Sequence, residues 1–302
     1  MPGGESVTSI GLSNVWAIVV HHRSLLTVLA TIESLQAGGI APEQLLVVDN
    51  SEMLPNEEEA FQASLPHGIS FLTMPNRGFA AAVNTGVATI RRNADNVEYV
   101  LVATHEVILE QDALGVLVQA LSEDSHRMAA GPTLLIADDL GERIWSRGGY
   151  LSQFLRLPRH RGHLELSREV ETEAITKCQW LDGALVLYRW SEIAANRMDE
   201  SYFLYFEEVD YHLSIRARGG QVVWVPSSTT YQSSNGMPLF YLARNLQIFH
   251  RKWGRPGFRT IATIYVCSRY LVRGTVRGAC KRSFVEIISG YLAGRKVLNV
   301  AR

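Results

Sequence analysis

The sequence predicts an α/β fold built on a mostly parallel sheet, and two observations lead to that prediction. Val15–Val20 and Gln44–Asp49 are mainly apolar runs, which is typical of strands that are buried on both faces. Between them, Ser24–Ala37 carries leucine and isoleucine at helical spacing and ends at the glycine pair that follows. Because strand, helix and strand follow one another within about 35 residues, we expect a βαβ unit with parallel strands.

Strands and helices continue to alternate along the chain. Strand character returns in five stretches, which are Ile69–Thr73, Glu98–Ala103, Ala129–Ile136, Cys178–Tyr188 and Gln221–Val225. Helical character is predicted for residues 52–66, 80–86, 111–121, 207–217 and 237–253. Pro226 is expected to end the last strand, before a polar loop at Ser227–Gly236. Asp138–Val170 has clustered Gly, Arg and His and is expected to be irregular, as a mobile loop or an insertion.

The bulk composition is that of a globular enzyme. The chain has 302 residues, of which 47% are hydrophobic and 20% charged, enough for one large domain or two small ones. A net charge of -1 argues against a nucleic-acid partner bound through bulk electrostatics. Cys178, Cys267 and Cys280 form no CxxC pair, and no stretch has the composition of a signal peptide or a membrane span. We therefore expect a cytoplasmic protein from a reducing compartment.

The last fifty residues differ from the rest in charge. Glu286 is the only acid after residue 250, against twelve basic residues. Gly257–Val272 and Phe284–Leu298 have helical spacing with an apolar stripe, so they can lie on anionic lipid as interfacial helices. Alternatively, they pack on the main domain or on another subunit in a homodimer. In domain terms we predict a disordered N-terminus at 1–13, a main domain at 14–253 with halves at 14–136 and 137–253, and basic helices at 254–302.

Polar residues follow several predicted strands at the end where α/β sheets bind ligands. Asp49 ends the second strand, although Asp49 and Ser51 could equally serve only to turn the chain. Farther on, Asn76 and Asn84 bracket a turn at Gly78 and a helix start of small residues. The free backbone N–H groups of such a helix start suit phosphate or sugar oxygens. Neither a GxGxxG nor a P-loop motif is present.

Two acidic features could carry chemistry. His105 and Glu106 lie side by side at the end of a strand and could hold a divalent metal, provided that the strand has already ended there. Glu207 and Glu208 begin a predicted helix directly after the aromatic run Tyr202–Phe206. A carboxylate that aromatic rings partly shield from water suits a general base. The alternative is an acidic first turn on an ordinary amphipathic helix.

The order of these pieces resembles that of the family 2 inverting glycosyltransferases of GT-A fold, in particular their rhamnosyltransferase-like branch. A GT-A fold is Rossmann-like, with a mixed, mostly parallel sheet flanked by helices; here it would carry a basic C-terminal helical extension. The matching pieces span roughly residues 15–253 and are the strand before His21, Val47–Ser51, Asn76–Asn84, Thr104–Glu106, Asp182-Gly183, Asp199–Asp210, Gly219–Pro226 and Arg244-Asn245.

The resemblance implies transfer of a sugar, with inversion, from a nucleotide-diphosphate donor to an acceptor hydroxyl. Asp49 would then hold the base or ribose of the donor. The nucleotide and donor-sugar pocket would be lined by Asn76, Gly78, Phe79 and Asn84. Asp182 would face the sugar, and the insertion would lie on the acceptor side. Arg244 matches a family motif without an assigned role.

The resemblance also assigns the metal and the base. Glu106 stands at the last acid of the family's DxD-type motif, where a Mg or Mn ion sits on the donor diphosphate, and His105 could be a second ligand. Glu208 stands at the family's general base, with Glu207 as the adjacent acid. Single displacement at an anomeric carbon needs such a base, together with positive charge on the leaving group. dTDP-rhamnose or a UDP-sugar is the expected donor, and the acceptor would be a polysaccharide, a lipid-linked glycan or a small natural product, as in cell-wall or polysaccharide biosynthesis.

Three departures from the family pattern leave the metal open. Thr104-His105-Glu106 replaces the usual Asn-Pro-Asp, Gln232 stands where a histidine is common, and the base is Glu rather than Asp. One alternative function is therefore a metal-independent transferase or a non-catalytic nucleotide-sugar-binding protein. A nucleotidyltransferase is the other, but it needs a glycine-rich basic loop after the first strand, which His21–Ser24 is not. If the tail binds lipid, we expect the protein at the inner face of the plasma membrane.

Overall fold

A twisted ten-stranded sheet runs through the molecule, with helices on both of its faces. The computed structural model describes residues 12–138, 141–167, 174–233, 238–276 and 280–300. The strands in these ranges are β1 (Val15–His21), β2 (Leu45–Asp49), β3 (Ser70–Thr73), β4 (Tyr99–Thr104), β5 (Val107–Leu109), β6 (Arg127–Asp138), β7 (Gly141–Ser146), β8 (Gly149–Leu151), β9 (Pro158–His160), β10 (Thr176–Lys177), β11 (Leu185–Arg189) and β12 (Gln221–Gln232).

The helices alternate with these strands along the first half of the chain and cluster at its end. They are α1 (Leu25–Ala37), α2 (Pro55–Ser64), α3 (Phe79–Asn93), α4 (Ala113–Ser122), α5 (Trp190–Ala195), α6 (Glu207–Ala217), α7 (Leu239–Lys252), α8 (Arg259–Val276) and α9 (Cys280–Val300). α5 begins directly after β11 and is the one helix of the main domain that the sequence analysis did not predict.

The sheet has the order β10-β12-β6-β11-β4-β1-β2-β3. β4, β1, β2 and β3 are mutually parallel, as the βαβ pattern predicts, and β12 is parallel to β6. β11 lies antiparallel between β4 and β6, and β8 and β9 form a separate hairpin. The prediction of a mixed, mostly parallel sheet flanked by helices is therefore confirmed.

Two hydrophobic clusters cover the faces of the sheet. One joins α1 and α4 to the sheet, and the other joins α3 and α6 to the opposite face. α3 lies close to β1 because its residues are small: a Cβ added to Gly86 would lie 2.9 Å from the Ile18 side chain. This close packing fixes the start of α3 against the carboxyl ends of β1 and β2.

The structure corrects the prediction for β12. The strand does not end at Pro226 but continues to Gln232, with an irregularity in its pairing between Trp224 and Thr229. Proline lacks an N–H group, and the irregular segment accommodates it without ending the ladder. Residues 227–232 are therefore strand rather than polar loop, and residues 234–236 lie outside the described residues.

The structure also corrects the prediction of an irregular excursion at 138–170. Residues 141–167, called the insertion below, contain β7, which pairs with β6, and the hairpin of β8 and β9. These strands are short and rich in Arg, Gly and His, so they lack the apolar runs that identified the other strands. Residues 139–140 and 168–170 lie outside the described residues.

Both tail helices pack on α7, at the side of the main domain. α9 lies along α7 through Gly290 and Gly294, whose missing side chains allow the backbones to approach. None of the helices in the described ranges is long and apolar enough to cross a membrane. The predicted disorder at residues 1–11 lies outside the described residues, whereas Leu12–Asn14 form a 3-10 turn.

Candidate active site

Asp49 is buried at the carboxyl end of β2 and is held by two neighbours. His21, at the end of β1, places Nδ1 2.6 Å from Oδ1 of Asp49, and the Ser51 hydroxyl donates to the same oxygen at 2.5 Å. Burial alone would raise the pKa of Asp49, but the hydrogen bonds from His21 and Ser51 outweigh it and hold that pKa below its ordinary value. The carboxylate is therefore fixed in orientation and stays charged. A cleft bounded by Asp49, Thr73 and Met74 opens beside it.

The turn before α3 is shaped by Gly78 and an amide side chain. Gly78 has φ +91°, and a Cβ there would overlap the carbonyl of Phe203. Oδ1 of Asn76 accepts a hydrogen bond from the Gly78 N–H at 3.2 Å, and the Phe79 N–H donates to the Phe203 carbonyl at 2.9 Å. The helix start predicted as a donor pocket is thus joined to the aromatic stretch more than a hundred residues later.

Asn84 lies inside the protein rather than at an open pocket. Its amide donates to the Met198 carbonyl and to Glu200, and its Oδ1 accepts from the Met198 N–H, all within 2.9–3.0 Å. Glu200 also pairs with Arg77 and Arg197. Because every polar atom of the Asn84 side chain has a protein partner, these contacts favour a role in joining α3 to the segment before α6.

His105 and Glu106 lie in the turn between β4 and β5, so the strand has ended before them. The ring of His105 turns toward His21 and α1, where its Nδ1 lies 2.8 Å from the Thr27 hydroxyl. Burial, and then the neighbouring rings of His21 and His22, lower the pKa of His105 to about 4, so it is neutral at pH 7. Glu106 faces the other way, toward Ser233, and burial raises the pKa of its carboxyl.

Glu106 and Gln232 are the residues here that fit a divalent cation. Gln232 pairs across the sheet with Val107, the residue that follows Glu106 in the chain. Nε2 of Gln232 is buried and has no hydrogen-bond partner in the part of the chain that the structure describes. A carboxylate and an amide oxygen are ligands that Mg and Mn accept. Within the same part of the chain, no three His, Cys, Asp or Glu side chains converge as a complete metal site, so the remaining ligands would come from substrate and water.

The stretch Ser201–Phe206, called the aromatic loop below, has a strained backbone. Phe203, Tyr205 and Phe206 all have φ between +68° and +76°, although none is glycine. A conformation of this kind costs about 1–3 kcal/mol per residue and persists only where surrounding contacts impose it. Phe206 then caps α6, so the loop sets the direction in which Glu207 and Glu208 leave the backbone.

Glu207 and Glu208 are two neighbouring carboxyls with little polar compensation. Glu207 is 3% exposed, and its Oε2 has no hydrogen-bond partner among the described residues. Burial raises the pKa of Glu207 to about 7. Burial, and then the charges of Glu207 and Asp182, raise the pKa of Glu208 well above its ordinary range. The pair therefore binds a proton far more readily than free glutamate does, which is the property that a general base needs near neutral pH.

Asp182 lies close to Glu208, in the segment that precedes β11. Trp145 of the insertion donates its indole N–H to Oδ2 of Asp182 at 2.8 Å, and the Ala184 N–H donates to Oδ1 at 2.9 Å. His160 of the insertion lies 3.9 Å from Oδ2. A Cβ added to Gly183 would lie 3.4 Å from Cβ of Glu208. The insertion thus covers the side of the site where Asp182 and Glu208 meet.

Tyr205 shows which predicted residues converge. Burial raises the pKa of its hydroxyl, and the charges of four carboxylates raise it further, those of Glu207, Glu208, Glu106 and Asp182. Three of these four were predicted as base, metal or sugar contacts, and Glu207 as the adjacent acid. Asp49 lies apart from this group, at the cleft on the other side of His105 and His21.

Two residues of α7 hold the aromatic loop from behind. The Arg244 guanidinium donates to the carbonyls of Ser201 and Tyr202 at 2.7 and 2.8 Å. The Asn245 amide donates to the carbonyls of Leu204 and Tyr205 at 2.7 and 2.9 Å. Arg244, which the sequence could not assign a role, is therefore a support of the loop rather than a surface group.

Sequence reasoning missed His21, Trp145, His160 and Asn245 as parts of the site. His21 could have been noticed as a histidine at the end of a buried strand, the same position at which Asp49 was identified. Trp145 and His160 gave no signal, because they lie in the segment that was expected to be irregular. Asp210, an acid of the same helical turn as Glu207 and Glu208, bonds Lys252 and Trp253 and joins α6 to the end of α7.

Comparison with known proteins supports the same interpretation. The family model described as glycosyl transferase family 2 matches residues 16–182, which is more than half of the chain. Two curated relatives, from the CDC 1551 / Oshkosh and H37Rv strains of Mycobacterium tuberculosis, are each named N-acetylglucosaminyl-diphospho-decaprenol L-rhamnosyltransferase. Each is 26% identical to this chain over 290 residues, covering 86% of this chain and 92% of the relative.

Solved structures show the same fold at low identity. GalNAc-T7 with UDP, GalNAc and Mn2+ superposes with a TM-score of 0.59 at 13% identity, covering 78% of this chain but only 48% of that protein. The mannosyltransferase PcManGT from Pyrobaculum calidifontis, in complex with GDP-Man and Mn2+, gives 0.53 at 14% identity, covering 95% and 87%. These likenesses confirm the predicted GT-A architecture. Together with the family match, they show that this chain is a glycosyltransferase and belongs to glycosyl transferase family 2.

Proposed function

We propose that this protein transfers a sugar from a nucleotide-diphosphate donor to an acceptor hydroxyl, with inversion, and that Glu208 is the general base. In the single displacement, Glu208 takes the hydroxyl proton while the acceptor oxygen bonds to the anomeric carbon. The bond from that carbon to the diphosphate breaks, and the nucleoside diphosphate leaves with the electron pair. The observation that carries this proposal is the raised pKa of Glu208, at the point where the aromatic loop, Asp182 and Phe79 meet.

The donor would lie between two anchors. Asp49, kept charged by His21 and Ser51, is suited to hydroxyls of a ribose or N–H groups of a base. Asn76, Gly78 and Phe79 shape the turn that leads from this cleft toward Glu208. The donor sugar would therefore be placed between Asp49 and Asp182.

Glu106 and Gln232 would hold a Mg or Mn ion against the donor diphosphate. When bound, the ion supplies positive charge to the leaving group. His105, neutral and bonded to Thr27, is the poorer candidate as a ligand, since its ring lies on the nucleotide side. A transferase without a metal, or a binding protein that performs no chemistry, would be the alternative if Glu106 does not bind one.

The acceptor we propose is a glycan carried on a lipid diphosphate, and the donor a rhamnosyl nucleotide such as dTDP-rhamnose. The rhamnosyl group and the lipid-diphosphate acceptor are suggested by the name of the mycobacterial relatives, which match 86% of this chain, and dTDP by the family resemblance. The insertion, which brings Trp145 and His160 to Asp182, would form the acceptor side.

Calorimetric titration with UDP, dTDP and GDP, each with and without Mn, tests the donor and the metal. Micromolar binding of one nucleotide that needs Mn would support the assignments of Asp49 and Glu106. Glu106→Gln should then lose the binding that Mn supports, whereas His105→Ala should still bind the nucleotide in the presence of Mn. Binding that is the same with and without Mn would favour the metal-independent alternative, and no binding of any of the three would favour a protein without donor chemistry.

Replacement of Glu208 by Gln tests the base. We expect turnover to fall by about a thousandfold, because a positioned base contributes on the order of 10²–10⁴ to the rate. Donor affinity should change little, since Gln has nearly the same shape. Asp210→Asn is the matched control, because Asp210 is an acid of the same helical turn that faces Lys252 and Trp253. Unchanged turnover in Glu208→Gln would refute the assignment.

We further propose that the outer faces of α8 and α9 rest on an anionic membrane, at the inner face of the plasma membrane. Seven large apolar side chains are exposed on these faces by 41–65%, and they are Ile261, Ile264, Tyr265, Phe284, Val285, Ile288 and Leu292. The faces that pack on α7 are opposite, with Ala262, Cys267 and Ile287 buried. Arg269, Arg295 and Lys296 are exposed beside the apolar stripes. Apolar side chains bordered by basic ones fit an anionic lipid surface.

Flotation with lipid vesicles tests this surface. The protein should float with vesicles of phosphatidylglycerol and phosphatidylcholine, and much less with phosphatidylcholine alone. Ile264→Glu combined with Val285→Glu should abolish flotation. Leu54→Glu, which changes an equally exposed leucine on α2's side of the molecule, should not. If the double variant changes the molecular mass in solution instead of flotation, the face is a homodimer interface and the proposal is wrong.

A further inference from the structure

The aromatic loop is bonded to its surroundings through the carbonyls of its first five residues, 201–205. The five consecutive carbonyls of residues 201–205 each accept a hydrogen bond from outside the loop. Arg244 and Asn245 of α7 bind four of them, and the Phe79 N–H at the start of α3 binds the fifth. Ordinary loops leave most of their carbonyls to water. This loop is instead held by two helices along its whole length.

Asn245 has the central place in this arrangement. It is completely buried, and its amide donates both N–H groups, one to Leu204 and one to Tyr205. Its Oδ1 accepts from Nη1 of Arg244 at 2.7 Å, so the two supporting side chains also fix each other. The two carbonyls that Asn245 binds flank the left-handed residue Tyr205 and lie two or three residues before Glu207.

We propose that Asn245 is a positioning residue for the base: by holding the Leu204 and Tyr205 carbonyls, it keeps the aromatic loop in its strained conformation and so sets where the Glu208 carboxylate points. The proposal rests on the function proposed above for Glu208. Without the two N–H donors of Asn245, both carbonyls lose these hydrogen bonds, and the loop relaxes toward ordinary backbone angles. Glu208 then moves relative to Asp182 and Phe79, which are carried by other elements.

The substitution Asn245→Asp tests this with the least change in shape. It keeps the oxygen that accepts from Arg244 but replaces both N–H donors by an oxygen that repels the two carbonyls. We expect kcat to fall by about 100-fold, the loss that a misplacement of about 1 Å causes in a catalytic group. The donor KM should stay near that of the wild type, because Asp49 and the turn at Gly78 are untouched. In Asn245→Ala, which adds no charge, the acid limb of the kcat/KM profile should move to lower pH as water reaches Glu208.

Asn245→Ala is the second variant, in case a buried carboxylate prevents folding, and Gln247→Ala is the matched control. Gln247 is buried on the same helix, but its amide bonds Thr263 of α8 and not the aromatic loop. If Gln247→Ala lowers kcat and moves the pH profile as much as the Asn245 variants at equal loss of thermal stability, Asn245 only stabilises the fold and the proposal fails.

Hydrogen exchange separates this proposal from that for the base. Backbone amides of residues 201–206 should exchange faster in Asn245→Asp than in Gln247→Ala, whether or not the protein turns over. A wild-type protein without transferase activity would refute the proposed function but leave this exchange result to decide on the loop. Equal exchange in both variants would refute the positioning role even if Glu208 proves to be the base.

Discussion

Asp49 and Glu207 are buried carboxyls and Glu208 is partly buried, and the protein treats Asp49 and the glutamate pair in opposite ways. Asp49 receives three hydrogen bonds from His21 and Ser51, and its pKa is lowered. Glu207 has an oxygen without a partner among the described residues, and the pKa values of both glutamates are raised. Burial acts in the same direction at the two places, so the difference comes from the neighbours.

A carboxylate that binds a ligand and a carboxylate that takes up a proton need different surroundings. A carboxylate that has to hold a ligand in one orientation benefits from fixed partners and a permanent charge. A carboxylate that has to take up a proton benefits from having few partners, because each hydrogen bond to the charged form lowers its basicity. In the function proposed above, Asp49 would therefore serve binding, and the glutamates after the aromatic loop would serve proton transfer.

The largest effect expected from the difference between Asp49 and the glutamate pair is on the pH dependence of turnover. As the proposed base, Glu208 would act only when ionised, and its pKa is raised by burial and by the charges of Glu207 and Asp182. Below the apparent pKa of the pair, kcat/KM should fall about tenfold per pH unit, and above it kcat/KM should level off. Rates measured from pH 5 to pH 9 check this. An acid limb near the ordinary glutamate pKa would show that the burial of Glu208 has no effect on its basicity.

His21→Ala should weaken the support of Asp49, because it removes one of the two side chains that bond this carboxylate. It leaves Asp49 buried with Ser51 alone, which should lower the free energy of unfolding by about 2 kcal/mol and weaken nucleotide binding. Asp49 has a lowered pKa, so its contribution is complete above its ordinary pKa and is lost as the pH falls through the lowered value. The difference between variant and wild type should therefore be full at pH 7. Denaturation and calorimetry measure it, with His22→Ala, an exposed neighbour, as control.

The smallest expected effect is a gain in stability from Glu207→Gln. Burial raises the pKa of Glu207 to about 7, so the native state favours its neutral form. Folding therefore loses stability as the pH rises from the unfolded value toward 7, and above 7 the charged form carries the full penalty. The variant should melt a few degrees higher than wild type at pH 8, by on the order of 1–2 kcal/mol, and at nearly the same temperature as wild type at pH 5. The same melting temperature at pH 8 would mean that the charge of Glu207 is compensated.

Buried strands made most of the fold predictable from the sequence. β1, β2 and β4 are apolar up to their last residues, His21, Asp49 and Thr104, and that pattern identifies them as buried strands. β7 and β9 could not be found in the same way, since they contain Arg, Glu and His and are held by edge pairing rather than by a hydrophobic face. β12 was cut short at Pro226 because proline usually ends a strand, and only the pairing with β6 shows how the ladder continues.

For the site, the sequence predicted residues whose position along an element implies their role. Asp49 ends a strand, and Glu208 begins a helix. Asn84 lies in a segment whose small residues and amide side chains predicted a pocket, but its side chain bonds Met198 and Glu200 inside the protein. The support of the aromatic loop by Asn245 could not be predicted, because backbone carbonyls leave no trace in a sequence and the two elements are forty residues apart.

Two glycines of α9 allow the tail to pack against α7, the helix that supports the aromatic loop. A Cβ built on Gly294 would lie 2.5 Å from the carbonyl oxygen of Arg244, and one on Gly290 would overlap that of Phe240. α9 is thus seated against the turn of α7 that holds the aromatic loop. A shortened chain that ends before residue 280 keeps every residue of the site but leaves that turn bare on its outer side. Kinetic constants obtained from such a truncated protein would describe an enzyme whose aromatic loop is less firmly held. The tail therefore belongs in any preparation used to study catalysis.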